Sequence, residues 1–496
     1  MGRKRKRSTY ETYARRNRLR KLRPLFIVIG ALLVIALAAG AVYFFHIKNS
    51  SGKEEQTYDS LPAVPIVSME YDGRLINPLH GLTQEMDLNY VRERLYLLED
   101  TYEIPVRISM FDNKIANFSF KVYDVENENL IQNGKVSGFE SENGIVSASL
   151  RIDNLIDEGK EYVLDMMITD DAGREIHYYS RIKKDASTTL KDQIALALEF
   201  NSCVYNASDD DAYSFIARFM ETDYRKDDNR DLSLVTLVSS VNNVTWNQMA
   251  VSMEGEPEIE VLDVDGEIGY VRLNYLLKNY ESGTEEFYNV SEYYRLRVRP
   301  EYSYVMNYER RASQIFEPEK AGVGVHSAKL GIQEDSDIEM KCNQAGTFSC
   351  FVANNTVWAM DTQNKIIRRI FSFSDGLDDE RGNYGNHAFR IVNVSDEGNV
   401  QFLIYGYMNK GLREGRNGIG MYTYSAETGK VSEDIFVPSD IPFAILDKVI
   451  GSVCYLNSGN SLYLMIDEFF YRLDISEGEA VLMAEGLNDN NYLLHT

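Results

Sequence analysis

The sequence predicts a mainly β protein hung from a single transmembrane helix, with a short helical connector between two β regions. Three observations predict it. Residues 25–45 contain no formal charge. Several stretches after residue 100 alternate apolar with polar side chains, the period of half-buried strands. A strand–turn–strand pattern recurs after residue 346. The chain has 496 residues, 44% of them hydrophobic and 11% aromatic, which excludes a disordered or collagen-like polymer and leaves room for several packed cores.

Charge divides the chain. Residues 1–23 carry eleven Lys/Arg and one acid, and the remainder carries 41 basic against 75 acidic residues, so +10 faces −34. An acidic surface of that size excludes a generic nucleic-acid binder, because phosphate backbones need basic patches. The expected organisation is a basic cytoplasmic tail (1–24), a transmembrane helix (25–45), a polar linker (46–60), a β domain (61–184), a helical connector (185–225) and a repeated β region (226–496).

As a helix, Leu25–Phe45 spans roughly 31 Å, a bilayer's hydrocarbon thickness. Tyr43, Phe44, Phe45, His46 and Lys48 collar one end, and Arg18, Arg20, Lys21 and Arg23 crowd the other. The basic flank stays in the cytoplasm, which puts the acidic bulk outside. The rival reading is a secretory signal cleaved at Ala36-Leu37-Ala38 or Ala39-Gly40-Ala41, but the apolar run continues past both. Gly2 to Arg7 (GRKRKR), next to such an anchor, is explained by orientation and attraction to anionic headgroups.

In the β domain, Ile104–Ile108, Phe118–Tyr123, Gly144–Ile152, Tyr162–Thr169 and Arg174–Ile182 read as strands, with turns at Asn133-Gly134, Asn143-Gly144 and Asp171-Ala172-Gly173. Asn154 to Tyr162 (NLIDEGKEY), followed by an alternating strand, resembles the late strands of fibronectin type III and other immunoglobulin-like sandwiches. That resemblance implies a sandwich over about 100–184. The Trp and disulfide of antibody domains are missing. Tyr71-Asp72-Gly73-Arg74-Leu75-Ile76-Asn77-Pro78-Leu79-His80-Gly81 with Glu85-Met86-Asp87 is similar to the opening of uncharacterised single-pass envelope proteins of Gram-positive gut bacteria, and implies a bacterial surface setting.

Ser187 or Thr188 can cap a helix through about Val204, with Leu190, Ile194, Ala195, Leu198 and Cys203 on one face, and Asp211–Met220 forms a second. From about Leu232 the pattern is β again. Val357 to Lys365 aligns with Met421 to Lys430 and with Phe470 to Glu479, each an alternating strand, a polar residue and a tight turn. The spacings are 64 and 49 residues from Asp361 to Ser425 to Asp474. These repeats resemble propeller blades, and three are legible where closed propellers have about four to eight. Residues 232–316 complete the ring, or the stack is open, or the chain is part of a longer parent.

Chemistry is sparse. No GxSxG, GxxxxGK[ST], HExxH or CxxC string occurs, and the six histidines are scattered. Cys342 and Cys350 enclose seven residues, and outside the cytosol either a disulfide or two buried thiols fits that spacing. The clusters Asp209-Asp210-Asp211, Asp263 to Glu267 and Asp378-Asp379-Glu380 supply oxygen ligands for Ca²⁺, but none has the full calcium-loop pattern, so no cofactor is expected.

The candidate binding surface is Trp358, Asp378, Asp379, Glu380, Tyr384, His387, Tyr405 and Tyr407, with interior packing the competing reading for the aromatics. The expectation is a membrane-anchored, non-catalytic recognition or assembly module of a bacterial envelope, whose partner is an envelope protein or a wall or exopolysaccharide glycan. The alternative is a cell-surface glycan hydrolase using loop carboxylates.

Overall fold

In a computed structural model, the described residues run from 63 to 486, apart from 112, 125, 127–128, 154, 207–208, 224–231, 247–248, 282–283, 325–326, 334–337, 451–453, 458, 460, 467–468, 476 and 478. The basic tail, Leu25–Phe45 and the 46–60 linker lie outside them. Among the described residues no helix is long and apolar enough to cross a membrane.

The first β domain has two five-stranded sheets. One contains β1 (Ile66–Tyr71), β2 (Arg74–His80), β4 (Glu103–Ser109), β7 (Glu140–Glu142) and β8 (Ile145–Arg151), in the order β2-β1-β4-β8-β7. The other contains β3 (Leu95–Leu97), β5 (Ile115–Asp124), β6 (Asn129–Lys135), β9 (Glu161–Asp170) and β10 (Glu175–Lys183), in the order β3-β10-β9-β5-β6, with β3 parallel to β10. Alternation sets their faces: Phe118, Phe120 and Val122 of β5 are buried, as are Ile104, Val106 and Ile108 of β4. Each such side chain contributes roughly 1.5–3 kcal/mol by burial.

Asn143-Gly144 forms the expected turn, both residues at positive φ. Asn133-Gly134 does not, because both lie within β6. Gly134 is there for closeness: a Cβ would stand 2.2 Å from the Phe120 ring. At the corner before β9, the Asp157 N–H donates to the Tyr162 hydroxyl at 3.1 Å and fixes the strand's entry.

The next layer differs from the expectation. The helices α1 (Leu190–Tyr205) and α2 (Asp210–Phe219) are not a mere connector, and residues 234–314 are not part of the repeats. They form one sheet of β11 (Leu234–Thr236), β12 (Val251–Asp265), β13 (Ile268–Glu281), β14 (Thr284–Arg299) and β15 (Tyr302–Gln314), ordered β11-β15-β14-β13-β12. A short helix, α3 (Val241–Val244), lies between β11 and β12. The physical reason is one-sided burial. In β14, Tyr288, Val290, Glu292, Tyr294, Leu296 and Val298 alternate with half-buried or exposed neighbours, so a single face needs covering, and α1 covers it. Phe200 of α1 packs on Tyr294 and Tyr308, at ring-centre distances of 5.8 and 5.0 Å. This layer and the sandwich share one continuous core.

Three four-stranded antiparallel meanders follow. The first is β16 (Met340–Cys342), β17 (Phe348–Ala353), β18 (Thr356–Asp361) and β19 (Ile366–Ser372). The second is β20 (His387–Val394), β21 (Val400–Tyr407), β22 (Asn417–Tyr424) and β23 (Val431–Pro438). After α4 (Phe443–Val449), the third is β24 (Cys454–Leu456), β25 (Ser461–Ile466), β26 (Phe469–Asp474) and β27 (Glu479–Ala484). The repeat noted in the sequence is the passage from the third to the fourth strand of each meander. Its polar residue holds the turn: Asp361 Oδ1 accepts from the N–H groups of Gln363 and Asn364, Ser425 Oγ from Thr428, and Asp474 Oδ1 from Glu477. One core joins the first and second meanders, and another joins the second and third.

Cys342 and Cys350 are free thiols. Cys350 pairs across the ladder with Lys341, and Cys342 pairs with Ser349, so the two thiols point to opposite faces of the sheet. Cys350 is buried and Cys342 is exposed.

Candidate functional site

The site is built where the sandwich meets the second meander. Its foundation is Asn77, fully buried in β2 with a φ of +51°. Asparagine tolerates this left-handed backbone better than most residues. Its Nδ2 donates to the Leu95 carbonyl at 2.9 Å, and its Oδ1 accepts from the Val261 N–H at 2.7 Å. One side chain thereby ties β2 to β3 and to β12.

The chain then reaches His80 and Gly81. A Cβ on Gly81 would lie 2.4 Å from Ile176 and 2.8 Å from the Tyr178 ring, so only glycine fits. The Gly81 carbonyl accepts from the Tyr407 hydroxyl at 2.8 Å, the Thr83 N–H donates to the Gly415 carbonyl at 2.7 Å, and Gln84 Nε2 donates to the Ser439 carbonyl at 2.7 Å. Leu82 and His177 exchange two backbone bonds of 2.8 Å. Behind them Glu414, buried, accepts from both Nη2 of Arg381 and the Val64 N–H. Burial pushes the Glu414 carboxyl up, with Arg381 opposing.

These contacts frame a cleft of about 80 Å³, partly open to solvent. His80, Tyr90, Tyr179, Tyr384, Tyr407 and Phe443 supply aromatic walls. His80 stacks on Tyr384 (ring centres 3.7 Å apart, planes at 11°), and Tyr407 stands edge-on to both. Burial, with the Arg94 and Arg381 cations nearby, lowers the His80 pKa to about 3, so the ring is neutral.

The polar lining comes from Arg92, Glu93, Arg94, Asn386 and Asn417. Arg94 is ion-paired with buried Glu260, which Arg272 contacts from its other side at 3.1 Å. Burial alone would raise the Glu260 carboxyl, and the two guanidinium groups hold it below its ordinary value. Glu93 is the one carboxylate among the described residues lining the cleft.

Of the candidate residues, Tyr384 and Tyr407 line this cleft. His387 is buried behind it against Phe373 and Phe389, and burial lowers its pKa to about 4. Trp358 packs on Phe316 in the core of the first meander, and buried Tyr405 donates to Asp447 at 2.9 Å. Asp379 staples its own loop. It binds Lys410 and accepts from the Gly382 N–H at 3.0 Å, and these bonds outweigh burial to hold its carboxyl low. Asp378 and Glu380 are exposed neighbours outside the lining. No group of three or more His, Cys, Asp or Glu side chains converges as metal ligands among the described residues.

Sequence reasoning missed His80, Tyr90, Arg94, Tyr179 and Phe443, which come from segments far apart in the chain. The one signal was the Asn77–Gly81 passage, whose Asn and Gly are explained by the junction.

No family model and no curated protein matches the chain. Among solved structures, it is similar to the extracellular domain of a putative one-component system from B. thetaiotaomicron, at 12% identity and a TM-score of 0.18. The match covers 49% of this chain and 30% of that one. Nothing of that protein's role transfers at this level of similarity.

Proposed function

We propose that this chain is a single-pass, extracytoplasmic recognition module of a bacterial cell envelope, non-catalytic, which takes its ligand in the cleft between the sandwich and the second meander. On this reading the sandwich is immunoglobulin-like and the meanders are successive propeller blades. Leu25–Phe45 and its basic flank support the anchor and its orientation.

The observation that carries the binding role is the cleft wall, aromatic rings held by backbone and side-chain bonds from both partners. The single lining carboxylate among the described residues favours binding over glycoside hydrolysis, which uses two carboxyl groups about 5–10 Å apart.

The test has two parts. Protease treatment of intact cells should remove epitopes placed after residue 61 and spare a tag at the N-terminus. Photocrosslinking from position 92 at the cleft rim should trap an envelope component in wild type but not in Tyr384→Ala. A product found in the cytosol defeats the anchor, and crosslinks unchanged in the variant defeat the cleft.

A further inference from the structure

The chemistry of the cleft narrows what it can hold. Tyr90, Tyr179, Tyr384 and Phe443 are half-buried, each leaving part of an aromatic surface at the cleft. Such surfaces match the apolar C–H faces of a pyranose ring, while its edge of hydroxyls asks for planar groups that donate and accept side by side. Asn386 lies beside Tyr384 and donates to its hydroxyl. Asn417, Glu93 and Arg92 complete the polar lining.

Charge selects further. Arg94 is committed to Glu260, with Glu93 a further 3.6 Å contact, and the exposed Arg92 donates its Nε to the Asn89 carbonyl at 3.2 Å. The inner cation of the lining is neutralised by carboxylates, Arg92 stands exposed at the rim, and residues 24–496 carry −34 overall, which disfavours a carboxylated or phosphorylated ligand.

We infer that the cleft binds a neutral oligosaccharide, one or more of its rings seated against Tyr384 and Tyr90. This rests on the binding role proposed above and names its ligand class. Unlike a hydrolytic subsite, the seat would hold sugar without turnover.

Full-length protein in nanodiscs should be titrated with neutral tetrasaccharides (β-1,4-linked glucose, β-1,4-linked N-acetylglucosamine, α-1,4-linked glucose) and with tetragalacturonate, using calorimetry and saturation-transfer NMR. At least one neutral sugar should bind saturably, its ring C–H protons receiving the strongest transfer, and tetragalacturonate should bind more weakly. Tyr384→Ala and, separately, Tyr90→Ala should weaken binding by about tenfold, the scale of an aromatic hot spot. Tyr384→Phe, which keeps the ring, should retain most of it, and Tyr455→Ala, on the exposed third meander, all of it. Preference for tetragalacturonate, no binding by any neutral sugar, or affinity indifferent to both alanine variants overturns the inference. If no sugar binds while the position-92 crosslink persists and depends on Tyr384, the cleft remains a binding site and only the glycan assignment fails. Loss of both defeats the binding role as well.

Discussion

Replacing Asn77 separates two contributions that the structure places in one residue. Asn77→Gly removes the bonds to the Leu95 carbonyl and the Val261 N–H, both fully internal, but leaves the backbone free to hold its φ of +51°. A buried partner left unsatisfied costs about 1–3 kcal/mol, so two such losses predict roughly 2–6 kcal/mol. Asn77→Ala loses the same bonds and also forces an alanine into the left-handed region, adding about 1–2 kcal/mol. Asn77→Asp keeps an acceptor for Val261 but buries a carboxylate whose second oxygen faces the Leu95 carbonyl, so it should cost at least as much as glycine.

Urea unfolding, followed by far-ultraviolet circular dichroism at pH 7, gives the ranking directly from the midpoints if the slopes are equal. The order wild type, Gly, Ala is required, with Asp no more stable than Gly. An alanine variant within 1 kcal/mol of wild type, or one matching glycine, would show that the two bonds or the positive φ do not hold this junction.

Three further expectations follow from other parts of the molecule. His80 and His387 are neutral in the fold, with pKa values lowered to about 3 and about 4 from 6.5, so the unfolded chain binds more protons below pH 6.5. Stability should fall by about 1.4 kcal/mol per pH unit per histidine from pH 6.5 toward 4. His177, raised by Asp165 against burial, contributes with the opposite sign, its stabilisation present below pH 6.5. His80→Phe keeps the stack on Tyr384 and should remove one histidine's share of the acid slope; urea midpoints at pH 7 and 5 that track wild type would contradict this. Arg381→Met strands the buried Glu414 carboxylate and should cost about 3–5 kcal/mol, most of it recovered in the double variant with Glu414→Gln, and an additive double-mutant cycle would refute the pairing. Maleimide labelling of the folded protein should modify Cys342 rapidly and Cys350 only on unfolding, since burial also pushes the Cys350 thiol up; a native peptide linked through Cys342 and Cys350 would overturn the register of β16 on β17.

What the sequence disclosed follows from how local each signal is. The sandwich strands and the repeat were legible because period-two alternation and side-chain-held turns are written in consecutive residues, as at Phe118–Val122 and Asp361–Asn364. The long sheet was misassigned to the repeats, although the difference was written in the same code. Residues 288–298 alternate strictly and need one cover, whereas Val400–Tyr407 is apolar almost throughout and is buried on both faces between neighbouring sheets. Asn133-Gly134 misled because a glycine demanded by a neighbouring ring reads the same as one demanded by a turn.

The cleft was barely legible for a different reason, and that reason bears on its role. Its walls come from residues 79–94, Tyr179, residues 384–417 and residues 442–443, segments whose proximity exists only after the sandwich and the second meander have docked. The docking is held by bonds that join Gly81, Thr83 and Val64 to Tyr407, Gly415 and Glu414, and Asn77 fixes β2, which leads into that passage, on β3 and β12. A ligand bridging these walls would therefore add its binding energy to the junction, and perturbations of the junction should reach the ligand. Asn77→Gly, which removes no lining residue, should then weaken ligand binding as well as stability, whereas a substitution of equal stability cost in the core between the second and third meanders should leave binding unchanged.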